Sequence, residues 1–140
     1  MQVSDIMRRE VVTISGDETI AVAARRMRDA NVGCLVVTNA GSVIGIITDR
    51  DLTVRCLSNG DIAQECWVRQ HMSSPVVTAT PDMDILDAAH LMTERQVKRL
   101  PVMEGGELVG LVSFSDVALA LDGPMHDLLL GFGGARRVTS

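Results

Sequence analysis

A chain that overlays on itself without a gap when shifted by 65 positions is built to fold as two copies of one unit. Val11-Val12-Thr13 returns as Val76-Val77-Thr78, Asp17 as Asp82, Ile20 as Ile85, Ala23-Ala24 as Ala88-Ala89 and Met27 as Met92. The match runs through Val32 and Val97, Leu35 and Leu100, Val37 and Val102, Gly41 and Gly106, Gly45 and Gly110, and ends at Asp51 and Asp116. Most shared positions are apolar residues or glycines, as a common core and common turns require. The recurring carboxylates of Asp51 and Asp116 serve neither purpose.

Each copy is too short to bury much surface alone, so the halves should share one core. With 46% hydrophobic residues the apolar material for it is ample, yet no run approaches the roughly 20 residues of a membrane span. The start, Met1-Gln2-Val3-Ser4-Asp5, lacks the layout of a secretory signal, so a soluble cytoplasmic protein with no membrane association is expected. Cys34, Cys56 and Cys66 are too few and too scattered for a disulfide framework. A net charge of -5 argues against general nucleic-acid binding, and with only Trp67, Phe114 and Phe132 as aromatics there is no stacking platform for single strands.

The first copy reads as a strand at Val11 to Ile14, a helix capped by Asp17 and ending near Asn31 to Gly33, and a strand from Cys34 to Thr38. A turn at Asn39-Ala40-Gly41 leads to a strand from Val43 to Thr48 and a second helix from Thr48 to Leu57. The second copy repeats this order, with a strand at Val76 to Ala79, a helix from Asp82 to Arg95, strands at Leu100 to Met103 and Glu107 to Ser113, and a helix from Phe114 to Leu121. The expected class is α/β (α+β), two β-α-β-β-α repeats. The first repeat would span 1–60, a connector containing Trp67 would span 61–72, the second repeat 73–122, and an apolar tail 123–140.

Gly45-Ile46-Ile47-Thr48-Asp49-Arg50-Asp51 and Gly110-Leu111-Val112-Ser113-Phe114-Ser115-Asp116 share one form: Gly, two apolar residues, Thr or Ser, two variable residues, Asp. As a local pattern this is a variant capping box at a strand-to-helix junction. Its position also suits a ligand, because free backbone N–H groups and the helix dipole at such a junction receive phosphorylated molecules.

On these motifs, the order of elements, the repeat spacing and the Lys98-Arg99-Leu100-Pro101-Val102 strand, the chain from about Val3 to Leu121 resembles the tandem CBS domain pair, or Bateman module. The resemblance implies two repeats packed with pseudo-twofold symmetry and two clefts between them that take adenine nucleotides or other adenosyl ligands. By the same resemblance the preferred cleft draws Thr48, Arg50 and Asp51 from the first copy and Val76, Val97, Lys98, Arg99 and Pro101 from the second. Asp51 would accept both ribose hydroxyls, Lys98 and Arg99 would meet phosphate, and the aliphatic residues would wall a purine. The second, weaker cleft would use Val11, Gly33, Cys34, Ser113 and Asp116. It lacks the two cations, because Gly33-Cys34 stands where the other copy has Lys98-Arg99; Arg8 or Arg9 of the N-terminal segment would have to compensate.

The resemblance further implies a regulatory module rather than an enzyme, with AMP, ADP, ATP or S-adenosylmethionine as ligand and no required cofactor. Homodimerisation is expected, as is an effector protein that the sequence does not identify; Leu52, Cys56, Val117 and Leu121 on the second helices are candidates for the dimer surface, although ordinary core helices also carry such residues. The alternative is a ligand-free dimeric scaffold, such as a stress-response protein. His71, His90 and His126 show no paired spacing and no nucleophile context is present. Cys56, Cys66 and His71 are spaced Cys-x9-Cys-x4-His, which matches no standard zinc pattern, so no metal site is expected.

Overall fold

In the computed structural model, which describes residues 1–121, the sequence repeat becomes a repeat of hydrogen bonds. The first copy runs β1 (Thr13–Ser15), α1 (Ile20–Ala30), β2 (Cys34–Asn39), β3 (Ser42–Thr48) and α2 (Asp49–Asp51), which continues as a π-helical turn over Leu52–Cys56 and a 3₁₀ turn over Leu57–Asn59. A short helix, α3 (Val68–His71), precedes the second copy. That copy consists of α4 (Ile85–Arg95), β4 (Arg99–Glu104), β5 (Glu107–Ser113) and α5 (Phe114–Ala120). The mixed α+β class expected from the sequence is what is found.

Strand β2 pairs with β1 in parallel and with β3 antiparallel, while β4 and β5 form an antiparallel pair. The register slips between Val37 and Thr38 in one pair and between Val102 and Met103 in the other, so even the irregularity is duplicated. The expected strand at Val76 to Ala79 is reduced to one parallel bridge, Ala79 to Val102, the counterpart of the Ile14 to Val37 pairing in β1.

Helix α1 is capped by Thr19, whose Oγ1 accepts the Val22 N–H at 3.3 Å, rather than by Asp17; α4 is capped by Asp84, whose Oδ1 accepts the Leu86 N–H at 2.8 Å. In both copies the helix starts later than expected because a turn follows the first strand position. Both helices end in a left-handed residue, Asn31 and Gln96.

The chain divides into two compact units whose boundaries cut across the repeat. Among the described residues, Met1–Arg9 belongs with residues 77–121, and Glu10–Val76 forms the other unit. The arm at Val3–Arg9 docks on β5, where the Arg8 N–H donates to Leu111 O and the Leu111 N–H to Arg8 O, both at 2.9 Å. Sixty-five positions later, Ser73 and Ile46 exchange the same two bonds at 2.8 and 3.2 Å. Val3 and Val68, which open the two arms, are both fully buried.

The apolar residues accordingly gather in two clusters, one per unit, rather than in the one shared core expected from the shortness of the copies. Val3, Met7, Ala88, Met92, Leu100, Val102, Val112 and Val117 belong to one; Ile14, Ala23, Met27, Leu35, Val37, Ile47, Leu52, Cys56 and Val68 belong to the other. Each short repeat is completed by an arm, which supplies the missing apolar layer.

Leu52, Cys56 and Val117 lie in these cores, so they are not a dimer surface; Leu121 alone of that set is exposed. These helices spend their apolar face on their own unit. The expected tail, including His126 and Phe132, lies outside the described residues.

Candidate functional site

The two Thr/Ser-to-Asp motifs are true reciprocal capping boxes. In the first, the Thr48 N–H donates to Asp51 Oδ2 at 2.9 Å and the Asp51 N–H donates to Thr48 Oγ1 at 3.2 Å. In the second, the Ser113 N–H donates to Asp116 Oδ2 and the Asp116 N–H to Ser113 Oγ, both at 3.0 Å. Each strand therefore runs straight into its helix through a junction that locks the carboxylate's orientation. Loss of either hydroxyl, in Thr48→Ala or Ser113→Ala, should cost about 1 kcal/mol in urea unfolding. A change near zero in both variants would mean that the junction is held by something else.

The boxes differ in their surroundings. Asp51 is buried, and its Oδ1 lies 3.7 Å from Arg55 Nε. The Arg55 guanidinium also donates to the carbonyls of His71 and Met72, both at 3.3 Å, tying α3 to the π-helical turn that follows Asp51. Where the first copy has Arg55 the second has Ala120, and Asp116 is only half-buried. Arg55 was not among the expected site residues, although its i,i+4 spacing from Asp51 is a legible signal. A carboxylate oxygen accepts along two lone pairs, so each box leaves acceptor capacity for a ligand.

The strand starts complete the geometry within each unit. Cys34 pairs with Thr48, and Arg99 with Ser113, while the Asp49 N–H donates to Gly33 O at 2.9 Å and the Phe114 N–H to Lys98 O at 2.8 Å. Thr48, Arg50 and Asp51 thus share a unit with Val11, Gly33, Cys34 and Val76. Ser113 and Asp116 share the other with Val97, Lys98, Arg99, Pro101, Arg8 and Arg9.

A side chain built on Gly33 would place its Cβ 3.2 Å from Asp49 Oδ2, so this strand start faces an acid instead of supplying a cation. In the twin unit Lys98 is exposed and Arg99 half-buried, and Val97 and Lys98 line a shallow hollow of about 200 Å³ with Met92, Thr93, Gln96 and Phe114. Arg50 is exposed, with its backbone N–H held by Asp49 Oδ1 at 2.8 Å. Cys34 and Pro101 are buried, and Val11 and Val76 half-buried.

A separate group lies at the far end of the first copy's second helix. One ligand atom each from Cys56, Cys66 and His71 falls within 4.8 Å of the others. Burial first, then the charges of Cys66 and Asp61, push the Cys56 thiol above its ordinary range.

A CBS domain model matches residues 3–57 and 68–123. The chain belongs to the CBS-domain family, as a pair of such domains. The CBS domain-containing protein YhcV of Bacillus subtilis is 38% identical over 117 residues, covering 84% of this chain and 83% of that protein. Protein MK0525 of Methanopyrus kandleri is 37% identical over 119 residues, which are 84% of this chain and 61% of that protein. Among solved structures, the CBS domain pair of protein MJ0100, in complex with 5'-methylthioadenosine and S-adenosyl-L-methionine, superposes with a TM-score of 0.77 at 24% identity, covering 86% of this chain and 94% of that one. None of the helices among the described residues is long and apolar enough to cross a membrane.

Proposed function

We propose that the chain is a regulatory module that binds an adenine nucleotide or related adenosyl ligand, and that its two ribose carboxylates serve unequal sites. In the preferred site Asp51 accepts the ribose hydroxyls, supported by Thr48. Lys98, Arg99 and Arg50 receive phosphate, and Val76, Val97 and Pro101 flank the base. In the weaker site Asp116 and Ser113 take the ribose beside Val11, Gly33 and Cys34. The observation that carries this reading is the duplicated, orientation-locked carboxylate combined with cations at one strand start and an acid, Asp49, at the other.

The MJ0100 pair binds adenosyl compounds, but at 24% identity that likeness speaks for the fold alone. The ligand class rests on what membership of the CBS-domain family implies, and the carboxylates and cations of this chain suit a ribose diol and a phosphate. The ligand acts by differential affinity for two arrangements of the chain. We further propose a cytoplasmic homodimer that transmits this bias to an effector protein, without catalysis of its own.

One register pairing favours a second assignment of the same ligand. Arg99 lies directly beside Ser113 in one unit, so Asp116 with Lys98 and Arg99 is a self-contained diol-and-phosphate set. The two assignments make opposite predictions for the two aspartates.

A thermal-shift series with AMP, ADP, ATP, S-adenosylmethionine and NAD tests the ligand class. A ligand that binds only the folded state at about 100 times its Kd adds roughly 2.7 kcal/mol of stability, so at least one of these compounds should raise the Tm by several degrees. No shift from any of them at millimolar concentration would contradict the proposal and favour the ligand-free scaffold.

A further inference from the structure

We propose that Cys56, Cys66 and His71 form a binding site for a thiophilic divalent cation, with Zn²⁺ the member best matched to two thiolates and an imidazole. Cys56 ends the π-helical turn, Cys66 lies in the connector and His71 closes α3, so sequence spacing conceals what the fold brings together. Their ligand atoms lie within 4.8 Å of one another. Tetrahedral Zn–S and Zn–N bonds of about 2.3 and 2.0–2.1 Å imply ligand separations of roughly 3.3–3.8 Å, so a contraction of about 1 Å closes the site. Cys56 is fully buried and His71 nearly so, while Cys66 is half-buried and leaves an entry side.

The duplication supplies an internal control. Cys56, Cys66 and His71 correspond, 65 positions away, to Leu121, Met1 and Ile6. The twin positions carry only apolar residues, so the fold does not itself require polar groups there. In this copy all three positions carry metal-ligating side chains. The helix differs as well: Leu52–Cys56 is a π-helical turn, whereas α5 stays α-helical through Ala120. Such turns occur frequently at functional sites.

Asp61 supplies the partner that a histidine ligand usually has. Its Oδ2 lies 3.7 Å from His71 Nε2, and its backbone carbonyl accepts from the Cys56 thiol at 4.0 Å. Its carboxylate either completes the coordination sphere or orients the imidazole. Soft thiolates and imidazole select zinc over magnesium or calcium. The bound ion would clamp the end of the π-helical turn that follows Asp51 to the connector and α3.

The test uses the whole chain, reduced and freed of metal by a chelator, then titrated with Co²⁺ and afterwards Zn²⁺. The expected result is one Co²⁺ per chain, with thiolate-to-cobalt charge-transfer bands, tetrahedral visible bands, displacement of both by Zn²⁺, and a higher Tm with Zn²⁺. Cys66→Ser, at the half-buried ligand, should retain the circular dichroism spectrum and lose at least the roughly 100-fold in affinity that loss of an outer partner can cost. Asp61→Asn, a milder change at a more exposed residue, should weaken binding about tenfold and serves as the second variant. The proposal is overturned by absent charge-transfer bands at millimolar Co²⁺, by bands that persist unchanged in Cys66→Ser, or by a Cys56–Cys66 disulfide that survives the reducing buffer.

Discussion

Gly45→Ala should destabilise the protein by about 2–3 kcal/mol, and Gly110→Ala by about 1–2 kcal/mol, the cost of forcing a methyl group into a filled space. The difference follows from what each methyl meets. At Gly45 a Cβ would lie 2.7 Å from the backbone carbonyl of Ser73 and 2.8 Å from Met72 Sδ. The carbonyl belongs to the arm that pairs with Ile46, so the arm must leave the strand to make room. At Gly110 the closest atom is Met7 Sδ at 2.5 Å, with Arg8 O at 3.0 Å, and a flexible thioether yields more easily than a backbone.

A double-mutant cycle separates these cases. Met7→Ala should rescue part of the Gly110→Ala loss, whereas Met72→Ala should rescue little at Gly45. Gly41→Ala provides the comparison, because nothing lies within 4 Å of its Cβ and only the positive φ of 85° opposes alanine. Its cost should be about 1 kcal/mol. A denaturant midpoint for Gly41→Ala at or below that of Gly45→Ala would show that the arm does not dock as described.

These glycines also mark where the sequence was legible and where it was not. Gly41 and Gly106 carry the left-handed turns that a short hairpin requires, and turn chemistry locates them directly. Gly45 and Gly110 sit inside strands and are glycine because another segment passes against them. That segment is distant in sequence, and no local pattern announces it. The same reason hid the arms. Val3 and Val68 precede the periodic segments, yet each is fully buried in the core of its own unit.

Elements with strong local chemistry were readable. The duplicated Thr/Ser-to-Asp spacing foretold both capping boxes, and apolar periodicity located α1 and α4, although their caps fell at Thr19 and Asp84. Cys56, Cys66 and His71 mark the opposite limit. Their spacing argued against a metal, because recognised zinc patterns cluster ligands in sequence, and only the packing of the connector against the π-helical turn gathers them. Arg55 lies between these extremes, visible by helix spacing from Asp51 but given meaning by the carbonyls it reaches on α3.

Calorimetric titration of AMP into the parent protein, Asp51→Asn and Asp116→Asn tests the central claim most directly. Asparagine preserves shape and one acceptor at each capping box, so circular dichroism and Tm can confirm that both variants fold. A hydrogen bond to a charged group contributes roughly 1.5–3 kcal/mol, which corresponds to about 10- to 150-fold in affinity. Unequal sites with Asp51 at the nucleotide predict a loss in that range for Asp51→Asn and about twofold or less for Asp116→Asn. Equal losses would contradict the inequality of the sites, and a large loss confined to Asp116→Asn would move the nucleotide to the carboxylate that shares a unit with Lys98 and Arg99.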